Sequence, residues 1–257
     1  MHRIVSLLFL VLILGFGCNT PEASLDNTST ISQPHLATEE RTIIEGKSGL
    51  YDVEVDYPVI VEPVNVATQA FNQYIEYLLK NQFIQEFKIK AEQAGAPPVT
   101  DVPFVLSGSY EVLELEPDYI AVRLFFTDYL GGTHPAPWTY TVDYVLEGDG
   151  KLVADLNDIF SVRESQYLAR LSELSRPLIL SQLQEKIDTQ WVEKGTRPIK
   201  SNYKNFNLTS EGIKFTFDPY QVASYAEGML EFTIPYSELT DILNVNGPVS
   251  HIKSQTK

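Results

Sequence analysis

Cysteine is almost absent from this sequence, which has 257 residues and a single cysteine, Cys18. One cysteine excludes an intrachain disulfide framework and a cysteine-based zinc site, so a folded domain here depends on its hydrophobic core. Basic residues are also scarce: 19 lysines and arginines stand against 34 aspartates and glutamates, which gives a net charge of -15. An anionic surface repels nucleic acid and attracts basic proteins and cations, so we expect no nucleic-acid partner.

The N-terminal apolar run, residues 4–14, is too short for a membrane-spanning helix, which needs about 20 apolar residues. His2 and Arg3 precede the run, and two glycines around a phenylalanine follow it at residues 15–17. A basic start, a short apolar stretch and small residues before a cleavage point are typical of a secretory signal peptide, here residues 1–17.

Cys18 follows this segment directly and looks like the lipidation site of a bacterial lipoprotein, where the thiol receives a diacylglycerol and the peptide is cut before the cysteine. Gly15 stands three positions before Cys18, where that family usually has leucine. The alternative is an ordinary signal peptide followed by an incidental cysteine. The lipoprotein interpretation predicts an exported protein whose lipid anchors it to the bacterial cell membrane or outer membrane, with the domain in the periplasm or outside the cell.

The composition after Cys18 predicts a tether and then a small folded module. Residues 18–45 are poor in large apolar side chains and cannot bury enough surface to fold, which favours a flexible tether. Residues 49–58 alternate apolar with polar, as a half-buried strand does, and the apolar spacing over residues 64–93 predicts a long helix. The sequence Ala-Gly-Ala-Pro-Pro at 94–98 ends that helix, so the first module covers residues 46–96.

The second module is predicted at residues 104–243, with a loose tail at 244–257. Helices are expected at 155–160, at 164–187 with a kink at Pro177, and at 236–243. Alternation predicts its strands at 109–115, 119–127, 138–145, 206–208, 213–217 and 229–234. The fold class is therefore α+β, with two modules that each pack antiparallel strands against a long helix.

Three segments of the second module together resemble a known family. They are residues 125–135, which contain Tyr-Leu-Gly-Gly-Thr-His-Pro, residues 151–160, which contain Asp-Ile-Phe, and residues 215–228, which contain Phe-Asp-Pro-Tyr and Tyr-Ala-Glu-Gly. In order and spacing they resemble the extracellular domain of the anti-sigma-V (RsiV-type) lysozyme receptors, although Thr133 replaces the usual alanine. Residues 46–96 are similar to the small module at the front of PdaC-type peptidoglycan deacetylases. These resemblances imply an α+β architecture of two modules and a binding role.

Candidate ligand-binding residues surround Gly131 and Gly132. Two glycines after an alternating strand allow positive φ and a tight turn, and the His134-Pro135 pair keeps the exit of the turn extended. His134 beside Asp128 could act as a general base, but a histidine that only hydrogen-bonds the turn is the favoured interpretation. The predicted ligand-binding residues are Tyr129, Gly131, Gly132, His134, Trp138 and Tyr140.

The sequence contains no serine elbow, phosphate loop or metalloprotease helix motif, and His134 has no second histidine nearby. We therefore expect no metal, no cofactor and no assigned catalytic residue. The predicted function is a lipid-anchored binding or sensing module of the cell envelope. Its expected partners are the membrane, through the lipid anchor, and a lysozyme-like protein, peptidoglycan or another envelope protein. The alternatives are a wall-active hydrolase that uses His134 with a carboxylate, and a purely structural role.

Overall fold

The computed structural model describes residues 35–99, 102–183 and 188–253. The predicted signal peptide, the lipidation site Cys18 and the predicted tether up to residue 34 lie outside the described residues, and they stay predictions. Within the described residues, no helix is both long enough and apolar enough to cross a membrane.

A six-stranded sheet forms the larger layer, with its strands in the order β1-β2-β3-β4-β5-β6. Every neighbouring pair is antiparallel except β2 and β3, which run parallel. The strands are β1 (Ala37–Lys47), β2 (Tyr51–Glu62), β3 (Phe104–Glu116), β4 (Tyr119–Tyr129), β5 (Ala136–Val145) and β6 (Lys151–Leu152). The predicted boundary at residues 97–103 is thus a connection between a long helix and β3, and the sheet continues across it.

The position of β1 corrects the predicted tether, which was expected to run to residue 45. β1 has few buried side chains, Ile43 among them, so it lacks the apolar alternation that marks a strand in the sequence. Its order comes instead from backbone pairing with β2 along the whole strand, as an edge strand permits.

The predicted long helix is confirmed, and it lies on one face of this sheet. It comprises α1 (Val66–Tyr77), a π-helical segment (Leu78–Ile84) and α2 (Gln85–Ala94). Asn65 caps its start, since the Asn65 side chain accepts from the Thr68 backbone N–H and the Thr68 hydroxyl accepts from the Asn65 N–H. Its apolar stripe is buried against the sheet and forms the helix-side core, with Phe71, Ile75, Leu78, Leu79, Ile84 and Phe87 as members.

A second, three-stranded antiparallel sheet covers the other face, in the order β7-β8-β9. Its strands are β7 (Phe206–Leu208), β8 (Gly212–Phe217) and β9 (Leu230–Pro235), and the helices are α3 (Glu164–Gln182), α4 (Thr189–Gly195) and α5 (Val249–Lys253). Alternate residues of β4 serve two cores: Ile120 and Val122 point to the helix-side core, while Tyr119 and Ala121 enter a second core around α3 and the small sheet. The two sheets and their helices confirm the α+β fold class.

The C-terminal part differs from the prediction in several places. α4 was not predicted, and the helix predicted at 155–160 is only a 3-10 turn, Leu156–Asp158. The helix predicted at 164–187 ends at Gln182. The helix predicted at 236–243 is only a 3-10 turn, Tyr236–Glu238, because residues 242–244 pair their backbone with residues 159–161. The tail predicted to be loose contains α5, since Val249 and Ile252 are buried in the second core.

Candidate functional site

The connection between β4 and β5 contains the glycine pair that the sequence singles out. Gly131 has a φ of 88°, and a Cβ there would lie 2.8 Å from Pro98 Cγ, so this position requires glycine for both conformation and space. Gly132 does not have positive φ, and the nearest atom to a Cβ there is the His134 oxygen at 3.6 Å. The expectation that both glycines need positive φ is therefore wrong for Gly132.

The two glycines should respond differently to alanine. We expect Gly131→Ala to lower the free energy of unfolding by about 1–2 kcal/mol, because the Cβ is strained in the left-handed region and meets the Pro98 ring. Gly132→Ala and His134→Ala are expected to change the free energy of unfolding by no more than about 0.5 kcal/mol, as substitutions at exposed positions usually do. Urea denaturation of the three variants measures the difference. Equal losses at the two glycines would contradict the assignment.

Three side chains from two segments form a surface cluster, here named the aromatic platform: the exposed His134 and Tyr220 and the half-buried Tyr225. The His134 ring stacks on Tyr225 with centroids 4.1 Å apart, and His134 Nε2 lies 3.3 Å from the Tyr220 hydroxyl. The Tyr225 hydroxyl donates to the Pro135 carbonyl at 3.2 Å, which ties the β8–β9 connection to the glycine turn. The platform thus joins two of the sequence segments in one surface.

Tyr220 is held in an unusual conformation within this platform. Tyr220 has a φ of 69°, and among the described residues no other non-glycine residue has a positive φ. Its side chain is 53% exposed. A bulky residue in this region is strained, and such strain often occurs at binding sites. The Trp191 indole N–H donates to the Tyr220 carbonyl at 2.9 Å, which helps to fix this backbone.

A cavity of about 170 Å³ lies next to the platform, and Trp191 forms one wall of it. Asp188 and Glu227 supply carboxylates at its rim. The predicted site residues do not include Tyr220, Tyr225 or Trp191. The segments containing Tyr220 and Tyr225 were visible in the sequence, but no local pattern shows that their rings reach His134.

The predicted site residues do not all come together. Trp138 and Tyr140 point to the helix-side core, on the face of β5 opposite the small sheet. Trp138 stacks on Phe126 at 4.1 Å, and the Tyr140 hydroxyl lies 3.4 Å from that of Tyr74. Tyr129 ends β4 and is half-buried. Of the predicted set, His134 joins the aromatic platform, and Gly131 and Gly132 form the turn that carries it.

The geometry gives His134 no acidic partner. Among the described residues, its ring nitrogens lie within hydrogen-bond distance of the Pro135 carbonyl and the Tyr220 hydroxyl, and neither is a carboxylate. Asp128 instead points to the helix side of the sheet, where it lines a pocket with Trp138. Burial raises the pKa of Asp128 above its usual value. The His134–Asp128 pair required for a general-base mechanism is not formed.

One cluster in the described part of the chain has the composition of a metal site. Asp118, Glu147 and His251 place one ligand atom each within 4.8 Å of one another, at the end of β4 away from the glycine turn. His251 Nδ1 and an Asp118 carboxylate oxygen are 2.7 Å apart. This contact also holds α5 against the β3–β4 hairpin.

Known proteins match this chain in two consecutive parts. Residues 44–137 match a family model described as "Deacetylase PdaC", and residues 157–237 match one described as "Protein of unknown function (DUF3298)". The predicted PdaC-type module is thereby confirmed, and its match runs beyond residue 96 to include β3, β4 and the glycine turn.

A curated relative and two solved structures extend this similarity. The chain is 24% identical over 246 residues to the peptidoglycan-N-acetylmuramic acid deacetylase PdaC of Bacillus subtilis; the match covers 94% of this chain, which spans half the length of that relative. A DUF3298 family member from Bacteroides fragilis has 18% identity and a TM-score of 0.57, covering 87% of this chain and 99% of that one. A DUF3298 family protein from Pseudomonas aeruginosa has 15% identity and a TM-score of 0.55, covering 81% and 94%. By sequence, the chain is therefore similar to PdaC over residues 44–137 and to the DUF3298 family over residues 157–237, and its fold is similar to two solved members of the DUF3298 family.

Proposed function

We propose that this chain is a binding module of the bacterial cell envelope, held at the membrane by a lipid on Cys18, and that its aromatic platform binds the glycan of the cell wall. The observation that carries this proposal is the arrangement of three rings at the surface: His134 stacks on the half-buried Tyr225, and the exposed Tyr220 lies tilted beside Tyr225 with its hydroxyl near His134. Rigid aromatic rings bury apolar ligand surface at low entropic cost, and their polar tips add hydrogen bonds. The apolar faces of sugar rings and their rim of hydroxyls match both properties.

Two further features support a wall ligand. Asp188 and Glu227 beside the platform offer acceptors for sugar hydroxyls. The matched relative from Bacillus subtilis is named for an activity on peptidoglycan. Binding is favoured over hydrolysis because His134 contacts no carboxylate among the described residues.

The net charge of -15 favours a second candidate partner, a basic lysozyme-like protein, at the same platform.

Co-sedimentation with purified peptidoglycan tests the platform. We expect Tyr220→Gly combined with Tyr225→Ala to lower the amount of protein bound at least tenfold, as loss of central aromatic contacts does. Glycine at residue 220 tolerates the positive φ, so lost binding is not explained by added backbone strain. Tyr77→Ala is the matched control, because Tyr77 is 58% exposed on α1.

Equal sedimentation of the platform variant and the unaltered chain would contradict the proposal. A second outcome separates the two candidate ligands. If neither protein sediments with peptidoglycan, but the unaltered chain binds a lysozyme and the platform variant fails to bind it, the ligand is a basic protein and not the glycan. Net charge alone does not produce that pattern, because the platform variant has the same charge as the unaltered chain.

The lipid anchor makes a separate prediction. Several acyl chains together hold a protein stably on a membrane, whereas one holds it weakly. We therefore expect Cys18→Ala to move the protein from the membrane fraction to the soluble fraction of cells. Membrane fractionation followed by immunoblotting measures this, and unchanged retention of the variant would show that Cys18 is not the anchor.

A further inference from the structure

A pocket of about 300 Å³ lies between α2 and the helix-side face of the large sheet, away from the aromatic platform. Its walls are apolar and its mouth is charged. The wall residues are Phe83, Phe87, Leu106 and Trp138, and the charged residues are Glu86, Lys90 and Asp128. An apolar pocket with a few convergent polar groups is the usual form of a small-ligand site, and this volume is at the small end of such sites.

The aromatic wall is a set of packed rings, one of which comes from the π-helical segment. Phe83 lies in that segment and meets Phe126 edge-on at 5.1 Å and Trp138 edge-on at 5.0 Å. Trp138 is backed by Phe126, whose ring stacks on it at 4.1 Å. Local π-helical geometry frequently occurs at functional sites. Trp138 therefore offers a fixed indole surface to a ligand in the pocket.

The charges at the mouth leave one carboxylate in excess. Lys90 forms an ion pair with Glu86 at 2.7 Å, one helical turn away, so these two charges cancel. Asp128 remains, and it is half-buried. Burial raises the pKa of its carboxyl, while the nearby Lys90 charge works in the opposite direction. Burial outweighs the effect of Lys90, so a cation placed in the pocket would stabilise the ionised form of the Asp128 carboxyl.

We propose that this pocket binds an amino sugar, with its protonated amine against Asp128 and the apolar face of its ring against Trp138. Charge complementarity requires the amine, because an N-acetylated sugar is neutral and leaves Asp128 uncompensated. The flat aromatic wall favours a rigid ring over a flexible peptide, and the small volume holds one sugar ring, so a longer saccharide would place one of its rings in the pocket. This site is independent of the aromatic platform, so either proposal can fail without the other.

Trp138 itself reports on the pocket. The chain has two tryptophans, Trp138 and Trp191, so Trp191→Phe leaves Trp138 as the single indole. We expect a saturable change in its fluorescence when the full chain with this substitution is titrated with the trisaccharide of glucosamine. The trisaccharide of N-acetylglucosamine should bind at least tenfold more weakly. Free lysine, which carries an amine without a ring, should also bind at least tenfold more weakly.

Charge variants in the same background locate the amine. Asp128→Asn should weaken glucosamine binding at least tenfold and remove the preference over the N-acetylated sugar. Glu86→Gln, at an exposed helix position, frees Lys90 to compensate Asp128 and should also weaken binding. Asp149→Asn removes the same charge from an exposed turn and should leave binding unchanged.

Three results would overturn the proposal. The first is no saturable response to the glucosamine trisaccharide up to millimolar concentrations. The second is unchanged affinity in both Asp128→Asn and Glu86→Gln, each checked for an unaltered thermal melt. The third is equal affinity for free lysine, which would show that the pocket takes any amine and not a sugar ring.

Discussion

Replacing Asp143 with alanine is expected to lower the free energy of unfolding by about 2–5 kcal/mol, because buried donors lose their acceptor. Asp143 is 2% exposed and lies on β5, facing the small sheet. Its carboxylate accepts from the Tyr119 hydroxyl at 2.5 Å, the Leu208 backbone N–H at 2.8 Å and the Asn207 amide at 3.2 Å. The Tyr119 hydroxyl and the Leu208 N–H would have no acceptor in an alanine variant, and both are buried.

The asparagine variant separates hydrogen bonding from charge. Asp143→Asn keeps one side-chain oxygen as the acceptor for the Tyr119 hydroxyl and the Leu208 N–H. We therefore expect it to lower the free energy of unfolding less than Asp143→Ala does. Asparagine does not titrate, whereas burial raises the pKa of Asp143 from 3.8 to about 7. The folded protein therefore retains a proton that the unfolded chain releases between these two pH values.

The sign of the pH effect follows from that difference. Because the folded protein binds more protons in this window, the contribution of Asp143 to stability falls as pH rises from about 4 to 7 and is constant above it. Each unit of pKa difference corresponds to about 1.4 kcal/mol, so the whole effect is of the order of 4 kcal/mol.

Urea denaturation at several pH values measures this effect. We expect the unaltered chain to lose stability relative to Asp143→Asn across the window from pH 4 to 7. Subtracting one curve from the other removes the contribution of the other acids. A difference that stays constant from pH 4 to 7 would show that Asp143 is ionised throughout.

Periodicity in the sequence predicted those elements whose faces are buried. The long helix and the strands β4, β5 and β8 were found because alternate or three-to-four spaced apolar residues mark them. β1 was missed for the opposite reason: its order comes from backbone pairing at a sheet edge, and its side chains are mostly exposed. Residues 242–244 also take their conformation from backbone pairing, with residues 159–161, although Leu243 is buried.

The candidate site was predicted in part, and its errors have the same origin. A glycine pair indicated the turn, but only the tertiary contact with Pro98 shows that Gly131 and not Gly132 requires glycine. Trp138 and Tyr140 were grouped with His134 because they are close in sequence. They point away from it because successive side chains of a strand face opposite sides, and the even positions of β5 face the helices. Tyr220 and Tyr225 reach His134 from a segment about 90 residues away, as the Tyr225–Pro135 hydrogen bond shows.

Arg123 is one of the buried polar side chains that link the two sheets, and it gives the second large expected effect. It lies on β4, is 4% exposed, and pairs with Glu111 on β3 at 2.6 Å and with Glu231 on β9 at 2.7 Å. It also donates to the Thr216 hydroxyl on β8 at 2.9 Å. Burial works to raise the pKa of Glu231, but the hydrogen bond and charge of Arg123 outweigh it and hold that pKa below its usual value.

Neutralising the carboxylates of Glu111 and Glu231 is expected to lower the free energy of unfolding by about 3 kcal/mol, because it leaves the buried Arg123 guanidinium without a counter-charge. Glu111→Gln with Glu231→Gln preserves the shape of both partners. Glu92→Gln is the matched control, since its ion pair with Lys47 is exposed and worth about 1 kcal/mol or less. Urea denaturation compares the variants.

Adding Arg123→Met to the double variant should recover much of the lost stability, although it removes a further polar contact. A buried charge without partners is worse than an apolar side chain of similar size, so the triple variant is expected to be more stable than the double variant. If the aromatic platform binds the cell-wall glycan as proposed, the triple variant should nevertheless bind it less well than the unaltered chain. β4 leads into the glycine turn with His134, while the β8–β9 connection carries Tyr220 and Tyr225, and Arg123 fixes one relative to the other. A triple variant less stable than the double variant would show that Arg123 acts through packing and not through charge.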